Sequence, residues 1–373
     1  MVPQSLEGKM KKSLHKLLMM LAAFALIAAA CGGGETTTEA AAGGGDGEGE
    51  EEAMEDDEEA MADGPESINV AYFAEWPTPN QFGQADGSFA DAVGVDINWV
   101  PFASGGEMSE AMIAGDIDIS YSQGLTPFAG AINGGADLSL VGIAVSYSEA
   151  DNCVAQGDLG VTRDNAAETL AGTTVVTPFG NVTHFKLLSI MQFLGVDLDS
   201  LNIVQAESGA TTAAAFETGQ IDVGCAFGGS VVNMLDNGGN VILTGAEAES
   251  DVGIFTYDII SIPTEFGENH PEIVSDFLAA TDQFNADWAA DMEGRNPTIA
   301  SAAGMTDVAN FLGGDLWFSF PTIDEQLGAD WLGGNVADAM QAQVETLAEL
   351  GGGDPAVGDF AGSVDTSFLE AAG

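Results

Sequence analysis

Two kinds of residue grouping in this 373-residue chain could do chemistry, and both suit the holding of a charged small molecule. The first is a set of glycine- and hydroxyl-rich segments that open helical patterns: Ser104-Gly105-Gly106, Gln123-Gly124-Leu125-Thr126 and Gly180-Asn181-Val182-Thr183-His184. A helix start offers unpaired N–H groups and the positive end of the helix dipole, so it can hold an anion without a cationic side chain. The second is a set of acids and aromatics: Glu75 beside Trp76, Asp258 in the apolar run after Phe255, and Phe227 at the end of another apolar run. Carboxylates and ring faces together suit an organic cation.

Each of these residues has a plainer reading. Glu75 and Asp258 are two of 59 acids, and the ordinary fate of an acid is a solvated surface. Trp76 and Phe227 could equally be core aromatics. Thr183 is a good helix cap, and His184 a core or capping histidine. Lys186 lies inside a helical pattern, where it would pair with nearby acids. No Cys-x-x-Cys, His-Glu-x-x-His, Walker loop or nucleophile elbow is present, so neither a metal nor a cofactor is expected.

The charge balance narrows the partners. Net charge is -52, and of seven Lys and Arg residues only Arg163, Lys186 and Arg295 follow Cys31. All acids but Glu7 lie beyond that cysteine. Phosphate contacts need Lys and Arg, so nucleic acid is excluded as a partner. Any anion must be held largely by neutral donors. Self-repulsion of this size is screened by salt, so the surface suits saline surroundings; a merely solubilising acidic surface is the competing reading.

The elements that would position these residues begin well into the chain. Lys9, Lys11, Lys12 and Lys16 precede an apolar run, Leu17 to Ala30, of 14 residues. That is short of the ~20 residues a membrane span needs and has the layout of an export signal. The run ends Ala28-Ala29-Ala30-Cys31-Gly32, which resembles a bacterial lipobox and implies lipidation of Cys31. Residues 1–30 are therefore expected to be a signal peptide. Residues 31–66, with Glu50-Glu51-Glu52 and Glu55-Asp56-Asp57-Glu58-Glu59, are expected to form a disordered acidic linker. Two cysteines remain, Cys153 and Cys225, which fit either one internal bridge or two buried thiols.

From Ser67 the pattern alternates between short apolar runs and helical stretches, the mark of an α/β architecture with mainly parallel strands. Met112-Ile113-Ala114-Gly115-Asp116-Ile117-Asp118-Ile119 parallels Phe216-Glu217-Thr218-Gly219-Gln220-Ile221-Asp222-Val223. Each copy reads as helix end, capping glycine, then a strand entered through an acid. Two copies imply two similar lobes with a ligand cleft between them. The expected division is 67–148 and 258–350 for the first lobe, 149–257 for the second, and a loop-like tail over 351–373. Single helices are expected over Gln81 to Ala92 and Ser301 to Leu312.

Seven segments carry a family resemblance: Ala71 to Gln81 with Glu75 and Trp76, Phe102-Ala103-Ser104-Gly105-Gly106, Ala114 to Ile119, Tyr121 to Pro127, Pro178 to Phe185 with Phe179, Gly219 to Asp222, and Tyr257-Asp258-Ile259-Ile260. Together they resemble the taurine/alkanesulfonate branch of periplasmic solute-binding proteins that feed ABC importers. The resemblance implies the two-lobed type II periplasmic-binding-protein fold and no enzymatic activity. It implies a taurine-like ligand contacted by Glu75, Trp76, Ser104, Gly105, Gln123, Gly124, Phe179, Gly180, Val182, Thr183, His184, Phe227 and Asp258. It further implies an exported monomer, held by a lipid anchor on the outer face of the cell membrane or in the periplasm and partnered by a permease and its ATPase subunits. Closure would hinge near Val145–Asp151 and Phe255–Ile260. Rival ligands are an amine-free sulfonate, a nitrate-like anion or a thiamine-pyrimidine precursor, and the rival class is a related pyrimidine-synthesis enzyme.

Overall fold

A computed structural model describes residues 64–73, 76–312 and 318–373, with the side chains of 310 and 311 left aside. The expected signal peptide, Cys31, nearly all of the acidic linker, and Glu75 lie outside the described residues.

The chain builds two sheets. The first holds β1 (Ser67–Phe73), β2 (Asp96–Phe102), β3 (Ile119–Gly124), β4 (Leu138–Tyr147), β10 (Thr256–Pro263) and β11 (Phe318–Ser319). The second holds β5 (Asp151–Gln156), β6 (Thr174–Pro178), β7 (Asn202–Ala206), β8 (Val223–Phe227) and β9 (Gly239–Val241). The orders are β11-β4-β10-β3-β1-β2 and β7-β6-β8-β5-β9. Both sheets are mixed: β1, β2 and β3 pair in parallel, as do β6, β7 and β8. The strands β5 and β10, which arrive from the other sheet, pair antiparallel with both neighbours, and the short edge strand β11 pairs antiparallel with β4. The chain crosses after Tyr147 and enters β5 at Asp151, then returns to enter β10 at Thr256.

β5 was not legible in the sequence. Asp151-Asn152 at its head reads as a turn, yet both side chains are buried, and Cys153 lies directly opposite Cys225 on β8. The two cysteines are bridged, with Cα atoms 4.0 Å apart.

The sequence repeat has a physical basis. Gly115 and Gly219 close their helices at φ 79° and 67°, where a side chain would be strained. Asp118 then accepts from the Asn69 N–H at 2.7 Å, and Asp222 from the Thr174 N–H at 2.8 Å. Each acid thus ties the entry of its own strand to the strand beside it. Ser104 and Ser208 likewise cap the two preceding helices, accepting from Glu107 N and Thr211 N.

Separate cores support the sheets. Phe89, Tyr121, Phe128 and Phe277 centre the first, and Val223, Leu187, Ile190 and Met191 the second. Helix Asn335–Glu349 spans both, sending Val336, Met340 and Val344 into the first and Leu347 into the second.

Three expectations need correction. The helix over Gln81 to Ala92 is two helices, Asn80–Asp86 and Ser88–Val93, because Gly87 between them is left-handed at φ 82°. The stretch Ser301 to Leu312 is the end of helix Met292–Ala302, a Gly304 turn, and helix Ala309–Leu312. The tail is not loop-like: Val364 bridges to Leu140, and helix Ser367–Ala372 buries Phe368 and Leu369 in the first core. Those two apolar residues sit among Gly, Ser and Asp, so the composition concealed them.

Candidate functional site: a cavity between the two sheets

Strand ends from both sheets converge on one small cavity of about 20 Å³. The first lobe supplies Phe73, Trp76, Gly124, Tyr147 and Asp258; the second supplies Asp151, Asn181, Val182 and Phe227. Phe73, Gly124, Tyr147 and Phe227 all end their strands, which is where open α/β sheets place ligand sites. The volume suits a water-sized occupant, so a larger one requires the lobes to part.

Asp258 is the centre of the first-lobe wall. It is 3% exposed, accepting from Tyr147 OH at 2.9 Å and from Ser122 Oγ at 3.0 Å. Burial pushes its carboxyl well above the usual range; the two hydroxyl donors oppose that rise, and the neighbouring Asp151 adds to it. The Trp76 indole N–H is buried near Asp258 and favours its charged form, without reaching hydrogen-bond geometry. The Trp76 ring meets Tyr147 edge-on at 4.9 Å and Phe318 at 4.6 Å. Phe227 faces Phe73 at 5.8 Å.

The second-lobe wall is the start of helix Val182–Phe193. Asn181 caps it without a side-chain bond and turns toward the cavity with Val182. The first turn of such a helix leaves N–H groups with no partner inside the helix. Asp151 completes this wall, its Oδ2 accepting from Thr183 Oγ1 at 3.0 Å.

Of the residues expected at the site, Trp76, Gly124, Val182, Phe227 and Asp258 line the cavity. Thr183 stands behind it, bonded to Asp151. The others do different work. His184 stacks on Phe179 at 4.5 Å and accepts at Nδ1 from the Gly180 N–H, which fixes the turn before the helix. Burial lowers its pKa, consistent with a neutral ring. Ser104 is a helix cap, and Gly105 is pressed against Pro127. Gln123 donates to Gly105 O and Ser109 Oγ, both at 2.6 Å, and accepts from Ser261, so its amide is committed to packing helix Gly105–Ala114 on β3.

A model of the family described as NMT1/THI5 like matches residues 78–291, more than half of the chain. The chain belongs to the NMT1/THI5-like family. Over 211 residues this family member is 29% identical to the taurine-binding periplasmic protein of Escherichia coli (strain K12), covering 57% of its own length and 63% of that protein. The match thus spans less than two thirds of that relative. Its fold is similar to the alkanesulfonate-binding protein SsuA from Xanthomonas axonopodis pv. citri bound to MOPS, with TM-score 0.68, 20% identity, and coverage of 81% of this chain and 99% of that one. It is also similar to the periplasmic aliphatic sulphonate binding protein SsuA from Escherichia coli, with TM-score 0.63, 19% identity, and coverage of 79% and 95%. The NMT1/THI5-like chain therefore has the two-lobed periplasmic-binding-protein fold.

Within that fold, the contacts expected from the sequence leave out Phe73, Ser122, Tyr147 and Asp151, and include Asn181 only as part of the helix-start segment Gly180-Asn181-Val182-Thr183-His184. Tyr147 and Asp151 flank the crossing between sheets, a segment legible only as a hinge. Asp151 is hidden among the many acids; the short apolar run Cys153-Val154-Ala155 behind it is the one signal that it opens a strand.

Proposed function

We propose that this protein is the solute-binding component of an ABC importer, and that its ligand is taurine or a similar small sulfonate bearing an ammonium group. The observation that carries the reading is one cavity with a helix start on one wall and a hydroxyl-held carboxyl, Asp258, with Trp76 on the other. The sulfonate would take the N–H groups at Asn181–Val182, where the helix dipole favours negative charge. The ammonium would take Asp258 and the aromatic faces. Among the described residues no Lys or Arg lines the cavity, in keeping with an anion held by neutral donors. The relatives described above support the same ligand class. They also support export to the periplasm or the outer face of the cell membrane. Lipidation at Cys31, a monomeric state, the lobe boundaries, and a permease with its ATPase subunits complete the proposal.

The lobes would part to admit ligand and close over it, bending where the chain crosses between sheets. A thermal-shift screen across taurine, ethanesulfonate, nitrate, amino acids and pyrimidines tests the ligand, since binding to the folded state raises apparent stability. Taurine should give the largest shift. A larger shift with nitrate or a pyrimidine, or turnover of taurine by the pure protein, would overturn the reading.

A further inference from the structure

Asp151 opens β5 at 2% exposure, on the cavity wall contributed by the second lobe. Its Oδ2 is held by Thr183, but its Oδ1 is buried with no hydrogen-bond partner. An unpaired carboxylate oxygen is costly to bury, so something must compensate for it or bind to it. Lys186 compensates. It is 1% exposed, lies three residues after Thr183 on the same helix, and donates from Nζ to the main-chain carbonyls of Ser148 and of Asp151 itself. Side chains three apart share a helix face, so one helix grips Asp151 twice, by its carboxylate and by its backbone.

We propose that Asp151 and Asp258 form a two-carboxyl receptor for one primary ammonium group, with Lys186 as the positioning residue that holds Asp151 in it. This rests on the reading of the cavity as a site for an ammonium-bearing sulfonate. Every ionisable neighbour fits the assignment. Tyr147 donates to Asp258 and Tyr121 lies within its electrostatic reach; burial raises both phenols, so both stay neutral and neither is a competing anion. Lys186 feels Asp151, Glu149 and Glu249, which favour its charged form against burial. Burial also pushes Asp151 up to about 6, with the Lys186 charge and the Thr183 bond opposing the rise. Both acids are buried on one cavity and Asp151 raises Asp258, so the pair keeps a proton when no ligand ammonium is present. An incoming ammonium takes that proton's place, and the proton leaves to solvent. An amine-free sulfonate gives no such exchange.

Calorimetry on the full chain tests this, with taurine and ethanesulfonate as probes in two buffers of different ionisation heat. Wild type should prefer taurine and release protons with it, and release none with ethanesulfonate. Asp151→Asn should lose about tenfold or more in taurine affinity while keeping its affinity for ethanesulfonate, so that the preference collapses. Lys186→Met should weaken taurine selectively, Lys186→Arg should restore it, and Lys186→Met should cost nothing more once Asp151→Asn is present. An Asp151→Asn protein that keeps the wild-type preference overturns the receptor, while taurine binding itself leaves the broader reading standing. Equal losses for both probes in Lys186→Arg and Lys186→Met overturn the positioning role. A wild type that binds no ammonium-bearing sulfonate overturns the broader reading and this inference with it.

Discussion

Ser122 donates its hydroxyl to Asp258 Oδ2 at 3.0 Å from a backbone held at φ 63°. Among the described residues it is the one non-glycine with positive φ. That conformation costs about 1–2 kcal/mol for a residue with a Cβ, so the strain is sustained where it aims a donor at a buried carboxyl. Ser122→Ala keeps the strain and loses the donor; Ser122→Gly loses both. Both variants should bind taurine more weakly than wild type. Ser122→Gly should be more stable than Ser122→Ala by about 1 kcal/mol in denaturant unfolding. Equal stability of the two variants would show that no strain is stored there.

Asp151 sets a pH dependence whose sign is opposite to that of a salt-bridged acid. Its carboxyl is raised from 3.8 to about 6 by burial. A raised pKa means the folded state holds the proton more tightly, so the stabilisation is fully present below 3.8 and lost as pH rises through about 6. Asp258, raised for the same first reason, adds to the trend. Ligand-free Asp151→Asn should therefore exceed wild type at pH 8 by up to about 3 kcal/mol, and the gap should close near pH 4. Guanidinium unfolding at the two pH values measures this. A gap that widens at low pH would contradict the burial argument.

The contrast between Asp258 and Asp151 shows how much was legible beforehand. Asp258 sits inside a mostly apolar stretch, Ile254 to Ile262, broken only by Thr256 and Ser261, so its burial could be read from its neighbours. Asp151 follows Ser148-Glu149-Ala150 and looks like part of an exposed turn. Only the crossing of the chain between sheets, a tertiary event, buries it. The same limit applies to Gln123 and His184. Their places at a strand end and a helix start follow from the sequence pattern, but the direction of each side chain does not. A helix start can serve a ligand, as at Asn181–Val182, or a packing contact, as at Ser104–Gly105, and the difference lies in what stands opposite. The repeat around Gly115 and Gly219 was legible because its reasons are local: a left-handed cap and an acid tying the adjacent strand.

Gly124 and Val182 bring the lobes into direct contact. A Cβ on Gly124 would stand 2.8 Å from Val182 Cγ2, too close for any real pair of carbons. Gly124→Ala should hold the cleft ajar, weakening ligand binding by about tenfold while leaving the melting temperature of the ligand-free protein within about 2 °C of wild type. Val182→Ala in the same chain should restore much of the affinity by making room. Calorimetry measures both affinities, and small-angle scattering with saturating ligand shows whether the lobes close. If the double variant binds no better than Gly124→Ala alone, the contact does not limit closure.

The surface charge gives the last prediction. Among the described residues, the ion pairs within 4.0 Å are those of Arg163 with Asp251 and Glu247, and of Arg295 with Asp287. With a net charge of -52, most acids repel one another with no cation between them. Raising NaCl from 0.1 to 1 M shortens the screening length from about 10 Å to about 3 Å. Exposed ion pairs weaken under that change, but they are few and each is worth little. Relief of repulsion should therefore dominate, raising the melting temperature by about 2–4 °C for each kcal/mol recovered. Adding sucrose to the same osmolality should give a smaller rise, because it does not screen charge. A melting temperature that is flat or falls between 0.1 and 1 M NaCl would mean that self-repulsion is not what limits this fold.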